Sequence, residues 1–257
     1  MGQKSFSVLG NIAIVNFPNK KFKLIEKKKF AKEILSKNKS VKTVLEKSGK
    51  FSGRLRKMKT RHLVGEKNKE VLYKENNCVF RFNIDNTYFS PRLSNERKEV
   101  ASKIRKGEEV LVMFAGVAPF SICIAKNSKA GKVYSNEINR EANKYAELNI
   151  ELNKLKDKVT LVKGDVKKLK LDRKMDVIVM PRPNLKDNFL ESAFKFSKKG
   201  TRIYYYDFCK VDELDSVIEK IKESAKKSKK KIKILGKKLA GDIAPYKFRV
   251  RVDFKLV

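Results

Sequence analysis

The chain reads as an α/β protein: a mostly parallel sheet flanked by helices on both faces, with an antiparallel C-terminal strand, preceded by a small α+β domain. Three observations predict this. Short apolar runs alternate with helical text from residue 110 onward, the first run breaks into a glycine turn followed by a proline, and the next two runs end in acids. Alternation of this kind is the signature of consecutive βαβ units.

The elements follow in order. Ser7 to Val15 predicts a short strand pair around Gly10. Lys21 to Ser36 predicts a helix, with Phe22, Ile25, Phe30, Ile34 and Leu35 at roughly helical spacing. Arg54, Arg56, Lys57, Lys59 and Arg61 then crowd together beside Phe51 and Gly53. The excess of arginine in that cluster suits planar, bidentate contacts to phosphates or bases. Phe80, Phe82 and Ile84 alternate as a strand and Asn86 to Pro91 as a loop. The hinge is expected there, giving a basic α+β RNA-recognition domain over 1–80 and the main domain over 81–257. Ser94 is expected to cap a helix that turns Val100 and Ile104 inward and ends at Gly107. Strands are predicted at 110–114, 131–137, 158–163, 176–180 and 200–206. An amphipathic helix is marked by Val211, Leu214, Val217, Ile218 and Ile221. Lys231 to Leu235 and Tyr246 to Phe254 close the chain, the latter alternating as an antiparallel edge strand with one wet face should.

The first strand and its turn, Val110 to Phe120, contain Gly116 and Pro119, and Glu137 ends the second strand about 20 residues after Gly116, where a ribose-gripping carboxylate belongs in a nucleotide-binding unit. Asp165 ends the third. Open α/β sheets bind ligands at these carboxyl ends. The turn lacks the full G-x-G-x-x-G pattern, which argues against a dehydrogenase.

Charge points to the partner. The chain has 63 Lys and Arg against 29 Asp and Glu, a formal net charge of +34; its first 80 residues hold 21 of the basic residues and 6 of the acidic ones. So strong a balance concentrates polyanions, and nucleic acid is the expected partner. No run approaches the ~18 apolar residues of a spanning helix, and the first residues have no signal-peptide apolar core, so no membrane role is expected. Cys78, Cys123 and Cys209 form no C-x-x-C pair and His62 is the single histidine, so no metal site is expected and the thiols suit a reducing cytoplasm. Proton work falls to carboxylates and arginines.

Five alternating strands, a closing hairpin, the glycine turn and the carboxylate after the second strand predict the class I S-adenosylmethionine methyltransferase architecture, Rossmann-like. Three stretches make the likeness more specific: Asp85-Asn-Thr-Tyr-Phe-Ser-Pro-Arg-Leu-Ser-Asn-Glu-Arg97, Met113-Phe-Ala-Gly-Val-Ala-Pro-Phe-Ser-Ile122 and Glu137-Ile-Asn139. Together they resemble the archaeal and eukaryotic family of tRNA guanine-37 N1-methyltransferases, from about Ser7 to the C-terminus. Two close relatives share the text: the wybutosine-pathway enzyme that transfers an aminocarboxypropyl group, and an archaeal branch that also methylates C7 of the tricyclic 4-demethylwyosine.

The resemblance implies S-adenosylmethionine as cofactor and the anticodon arm of tRNA as substrate, with the purine at position 37 flipped outward into the pocket. It implies that Glu96 removes the proton from guanine N1, that Arg56 faces the guanine O6, and that Tyr88, Phe89, Arg97, Phe114, Gly116, Glu137, Ile138, Asp165 and Val166 line the cofactor site. Arg54, Lys57, Arg61, Arg92 and Arg182 are expected to meet the RNA, and a monomer is expected. Two departures stand out. Val112 replaces an acid usual before Met-Phe-Ala-Gly, raising the question whether Glu108 or Glu109 compensates. Pro181, in Met180-Pro-Arg-Pro-Asn184, occupies the place of the family's Asn, the natural hydrogen-bonding partner of the target base. Proline offers neither side-chain donor nor N–H, which suggests a changed or widened substrate. The residues ahead of the core are too few for the extra N-terminal domain of many archaeal relatives, so recognition is expected to lean on the basic module. A non-catalytic basic RNA-binding protein on the same fold is the remaining alternative.

Overall fold

The computed structural model describes residues 5–17, 22–49, 53, 55–210, 213–244 and 246–257. Strands β1 (Ser5–Leu9) and β2 (Ile12–Asn16) form the expected hairpin, with Gly10 at φ +58. A Cβ at Gly10 would lie 1.9 Å from the carbonyl oxygen of Leu72, so only glycine lets this turn meet the next module. Helix α1 (Leu24–Lys37) crosses over to β3 (Thr43–Lys47), parallel to β2, and β4 (Thr60–Gly65) completes a four-stranded sheet ordered β1-β2-β3-β4. The buried face of α1 is Lys27, Ala31 and Ile34, one residue in four along one stripe. Ile25, expected inside, is 76% exposed. Lys27 goes in because its Nζ donates to Glu46 Oε1 on β3 at 2.6 Å.

Strands β5 (Glu70–Glu75) and β6 (Cys78–Asn83) form a separate hairpin. Its β6 edge is capped by two asparagines one turn apart on helix α4 (Arg140–Leu152) and just beyond it. Asn149 accepts from the Arg81 N–H at 2.7 Å and donates to its carbonyl at 3.1 Å; Asn153 does the same to Val79 at 3.0 and 2.7 Å. Two side-chain amides thus satisfy a strand edge that would otherwise be open. Phe80 and Phe82 project into the core cluster that also holds Leu9, Ile12 and Leu45 from the first sheet, Val110 and Val112 from the second, and Ile122 from the helix that follows them.

The second sheet carries the site. Its strands are β7 (Glu109–Met113), β8 (Lys132–Glu137), β9 (Val159–Lys163), β10 (Met175–Met180), β11 (Ser197–Cys209), β12 (Ile232–Ala244) and β13 (Lys247–Leu256), ordered β12-β13-β11-β10-β7-β8-β9. β7 to β11 run parallel and β13 lies antiparallel between β11 and β12. This is the class I methyltransferase architecture. Helices α2 (Ser94–Ser102), α3 (Pro119–Asn127), α5 (Leu190–Lys195) and α6 (Leu214–Lys227) complete the layers. Val211 lies outside the described residues.

Three local expectations change. Ser94 is the first residue of α2 and not its cap, because a 3-10 turn at Pro91–Leu93 leads straight into the helix. That helix ends at Ser102, five residues before Gly107. The last strand is interior, with β12 on the edge, and its alternation is not a wet face: Arg249 and Arg251 are buried, 7% and 1% exposed. A buried arginine on a strand needs built partners, and these lead to the site.

Candidate active site

The order β9-β8-β7-β10-β11 reverses direction between β7 and β10, and at this switch point a cleft of about 870 Å³ opens outside the carboxyl ends of the strands. Phe114, Gly116, Asn136 to Asn139, Gly164 to Val166, Pro181 to Leu185 and Phe208 reach it from the ends of successive parallel strands. Arg249 reaches it from the start of β13, paired with Phe208 across the sheet.

The turn after β7 is held in a left-handed conformation at three places, Phe114 (φ +57), Gly116 (φ +58) and Ala118 (φ +67), before Pro119 starts α3. Two non-glycine residues with positive φ in one turn mark an over-determined backbone of the kind that gathers at binding sites. What over-determines it is Glu137. Its Oε2 accepts the Gly116 N–H at 2.8 Å, and its Oε1 accepts the N–H groups of Ile138 at 2.9 Å and Asn139 at 2.7 Å. Asn136 ties β8 to β9 by donating to Val162 O at 2.7 Å and Gly164 O at 3.1 Å. Asn139 caps α4 by accepting from the Glu141 N–H at 3.0 Å, and Asp165 caps the next turn through the Lys167 N–H at 3.0 Å. Phe114 packs edge-on against Phe189, centroids 4.9 Å apart, closing the floor.

Another stretch of the wall is cationic and aromatic. The Arg56 guanidinium lies 5.0 Å from the centre of the Tyr88 ring, and Arg249 lies 5.3 Å from that of Phe208. Burial opposes ionisation of Tyr88, but the charge of Arg249, its hydrogen bond to the phenol, and Arg56 outweigh it and hold the hydroxyl below the ordinary tyrosine value. Pro181 lines the cleft next to this wall. Arg182 also borders it, but the guanidinium is fully occupied: it pairs with Asp207 and donates to Tyr205 Oη at 3.0 Å and to the carbonyls of Pro183 (3.0 Å), Leu185 (3.1 Å) and Asp187 (3.3 Å). Arg182 therefore shapes the loop after β10 and is not offered to RNA.

Of the expected residues, Arg56, Tyr88, Phe114, Gly116, Glu137, Ile138, Asp165, Val166 and Pro181 converge on this cleft. Others do not. Glu96 is 4% exposed and sits beneath the wall: Oε2 accepts from Tyr206 Oη at 3.0 Å and from Arg251 Nη1 at 2.6 Å, while Oε1 pairs with Lys238 at 2.8 Å. Both oxygens are engaged and Glu96 lies outside the cleft lining, whereas the expectation was a proton acceptor facing the base. Arg97 is 1% exposed and forms a two-pronged pair with Glu75, also donating to Ser90 O at 3.0 Å, so it fastens α2 to β5 and does not hold cofactor. Phe89 stacks on Phe82 at 4.7 Å in the core. Arg61 pairs with Glu46 at 2.6 Å on the first sheet, Arg92 donates to Asp242 O at 3.1 Å, and Lys57 is exposed; all three lie outside the cleft lining. Arg54 lies outside the described residues. Neither acid beside Val112 compensates for it, since Glu108 pairs with Arg202 and Glu109 with Arg173. Sequence reasoning missed Arg249, Phe208, Asn136 and Asn139. The Arg-x-Arg-x-Asp alternation in β13 was the available signal for the first, and it was spent on a solvated edge. Among the described residues no three His, Cys, Asp or Glu side chains gather to hold a metal ion, and no helix is long and apolar enough to cross a membrane.

A switch-point cleft with carboxylates at consecutive strand ends and an arginine-rich wall defines a Rossmann-like transferase of the class I methyltransferase kind. The chain belongs to the TRM5/TYW2 methyltransferase family: residues 71–235 match the TRM5/TYW2 methyltransferase domain and residues 2–68 match the TYW2 N-terminal domain. It is 37% identical to the tRNA (guanine(37)-N(1))-methyltransferase Trm5b of Pyrococcus abyssi, over 98% of this chain and 74% of that protein. It is 30% identical to the tRNA (guanine(37)-N(1))/4-demethylwyosine(37)-methyltransferase Taw22 of Nanoarchaeum equitans, over 98% of this chain and all of that one. The structure of aTrm5 in complex with tRNALeu superposes with a TM-score of 0.86 at 30% identity, covering 98% of this chain and 72% of the other.

Proposed function

We propose that this protein is an S-adenosylmethionine-dependent tRNA methyltransferase acting on the purine at position 37, methylating guanosine N1 and also C7 of 4-demethylwyosine. The observation that carries the reading is that one cleft is lined both by the carboxylates at the ends of β8 and β9 and by the cationic, aromatic group Arg56, Tyr88 and Arg249. The residues fit the cofactor. Glu137 presents a backbone-latched carboxylate suited to ribose hydroxyls, Ile138, Val166 and Phe114 supply apolar walls for a base, and Asp165 stands beside them. When bound, S-adenosylmethionine supplies an electrophilic methyl on a sulfonium.

The cationic, aromatic group serves an electron-rich purine. Loss of the N1 proton leaves negative charge on the O6 side of guanine, and guanidiniums held there stabilise it. Similarity to the Nanoarchaeum Taw22, which the chain matches along that protein's whole length, supports the second methylation; so does Pro181, which offers no hydrogen bond to the base edge where an amide would otherwise stand. RNA affinity comes from the surplus of cations, with Lys57, Arg61 and Arg92 outside the cleft on the anticodon arm, and it falls steeply with salt. The enzyme acts in the cytoplasm, whose reducing conditions suit its buried Cys78, Cys123 and Cys209.

The test is direct. The purified protein is incubated with S-adenosylmethionine and a tRNA transcript carrying guanosine at position 37, and the digested nucleosides are weighed. 1-Methylguanosine is expected, and a second methyl appears when the tRNA carries 4-demethylwyosine. An aminocarboxypropyl mass would move the protein to the other branch of the family, and no product from either tRNA would leave a non-catalytic binder.

A further inference from the structure

The buried arginines of this protein are paired with acids at almost every turn. Arg97 has Glu75, Arg182 has Asp207, and Arg251 has Glu96, Glu99 and Asp253. Arg249 departs from the pattern. It is 7% exposed, yet no carboxylate pairs with it among the described residues; its contacts are the Tyr88 phenol and the face of Phe208. A buried cation without an anion is costly, and this one borders the cleft. The hydrogen bond to Tyr88 leaves further N–H groups of this guanidinium for acceptors that a ligand brings.

The fold says which ligand atoms these are. The Phe208 ring has Arg249 at 5.3 Å and Arg182 at 5.9 Å, so the Arg249 guanidinium stands beside the loop that Arg182 braces, the loop of Pro181. It also holds Tyr88 from one side while Arg56 lies over the ring. Arg249 on β13 and Phe208 on β11 enter the cleft from the other side of the switch point than β8, which carries Glu137, and the loop after β10 on that side lacks a base-reading amide at Pro181.

We infer that Arg249 is a specificity-determining residue that reads the O6/N7 edge of the target purine, in the role vacated at position 181. This rests on the tRNA reading above and deepens it. A guanidinium fork matches O6 and N7 of guanine with two parallel hydrogen bonds. The choice of edge has a chemical consequence. A third ring built across N1 and N2 of guanine removes the edge that an amide would read but leaves O6 and N7 in place. A reader on the O6/N7 edge therefore accepts guanosine and its tricyclic derivative alike.

The experiment compares tRNA transcripts carrying guanosine or 7-deazaguanosine at position 37, under single turnover, in the wild-type chain and in R249M and R249K. S-Adenosylhomocysteine binding is followed by calorimetry in each. A good bidentate pair is worth roughly 1–3 kcal/mol, so removing N7 is expected to slow the wild type about tenfold. R249M is expected to be slowed at least as much on guanosine, to show no further loss on 7-deazaguanosine, and to keep its S-adenosylhomocysteine affinity; R249K, with a point charge and no fork, behaves like R249M toward N7. Persistence of the 7-deaza penalty in both variants overturns the inference. So does a tenfold loss of S-adenosylhomocysteine affinity in R249K or R249M, which would put the cofactor's carboxylate on Arg249. A wild-type chain inert on guanosine-37 tRNA removes the function reading as well, and is told apart from the other failures because these require an active wild type.

Discussion

Two sets of cleft residues are built in opposite ways. The carboxylate set is made of strand ends that follow one another in the sheet, and backbone fixes it: three N–H groups converge on Glu137, and Asn136 and Asp165 bind neighbouring main chain. The cationic set gathers Arg56, Tyr88, Pro181, Phe208 and Arg249 from segments far apart, and side chain holds side chain. The difference teaches where rigidity comes from. A site latched by main chain survives changes in its neighbours, whereas one assembled from distant side chains depends on a network behind it. That network is Arg251, two residues along β13 from Arg249 on the same face, which gathers Glu96, Glu99 and Asp253.

Breaking the network should have the largest effect. Arg251→Ala leaves Glu96 buried beside Tyr206, with Lys238 as its remaining cation, and strips Glu99 and Asp253 of a partner. Removing one member of a buried ion network costs about 3–5 kcal/mol. Urea unfolding should show a loss of that size, and a loss under 1 kcal/mol would mean that the wall does not depend on the network. Glu137→Gln tests the other set. Replacing the anion weakens three charge-assisted hydrogen bonds, each worth roughly 1.5–3 kcal/mol, while the amide keeps part of them. S-Adenosylhomocysteine affinity should fall about tenfold to a hundredfold. Urea unfolding should show a loss of about 1–3 kcal/mol, below that of Arg251→Ala, because the amide nitrogen that replaces one carboxylate oxygen accepts no N–H. Unchanged affinity would detach Glu137 from cofactor binding.

The same contrast explains what could be read from the sequence. Strand text, the glycine turn and the acids after β8 and β9 are local features, so β7 to β11, Gly116, Glu137 and Asp165 were legible. So was the family, through contiguous motifs. The wall was not, because burial of a charged residue depends on partners that a linear pattern does not show. Lys27 on α1 goes inward because Glu46 stands opposite, and Ile25, expected inside, faces out because the helix turns its Ala31 stripe inward. Glu96 and Arg97 lie next to each other in a motif that resembles a catalytic one, and both are consumed by partners from β13, β12 and β5 that lie far away in the chain.

The smallest effect sharpens the comparison, because it isolates one acid of the network. The hydrogen bond from Arg251 pulls the Glu99 carboxyl far below the usual carboxylate range; burial opposes this, and Lys238 and Lys103 assist. A depressed acid adds stability that is fully present above its unfolded value of about 4.3 and is lost as pH falls through the folded one. Glu99 keeps 35% of its side chain exposed, so solvent screens the pair and its worth is held below about 1 kcal/mol. Glu99→Gln should therefore cost less than that at pH 7, and the gap from wild type should narrow as urea titrations move from pH 5 toward pH 2, because the unfolded chain takes up a proton that folded Glu99 resists. A gap that stays constant across that range would mean that Glu99 acts through packing, leaving Glu96 and Asp253 to hold Arg251, and with it the wall, in place.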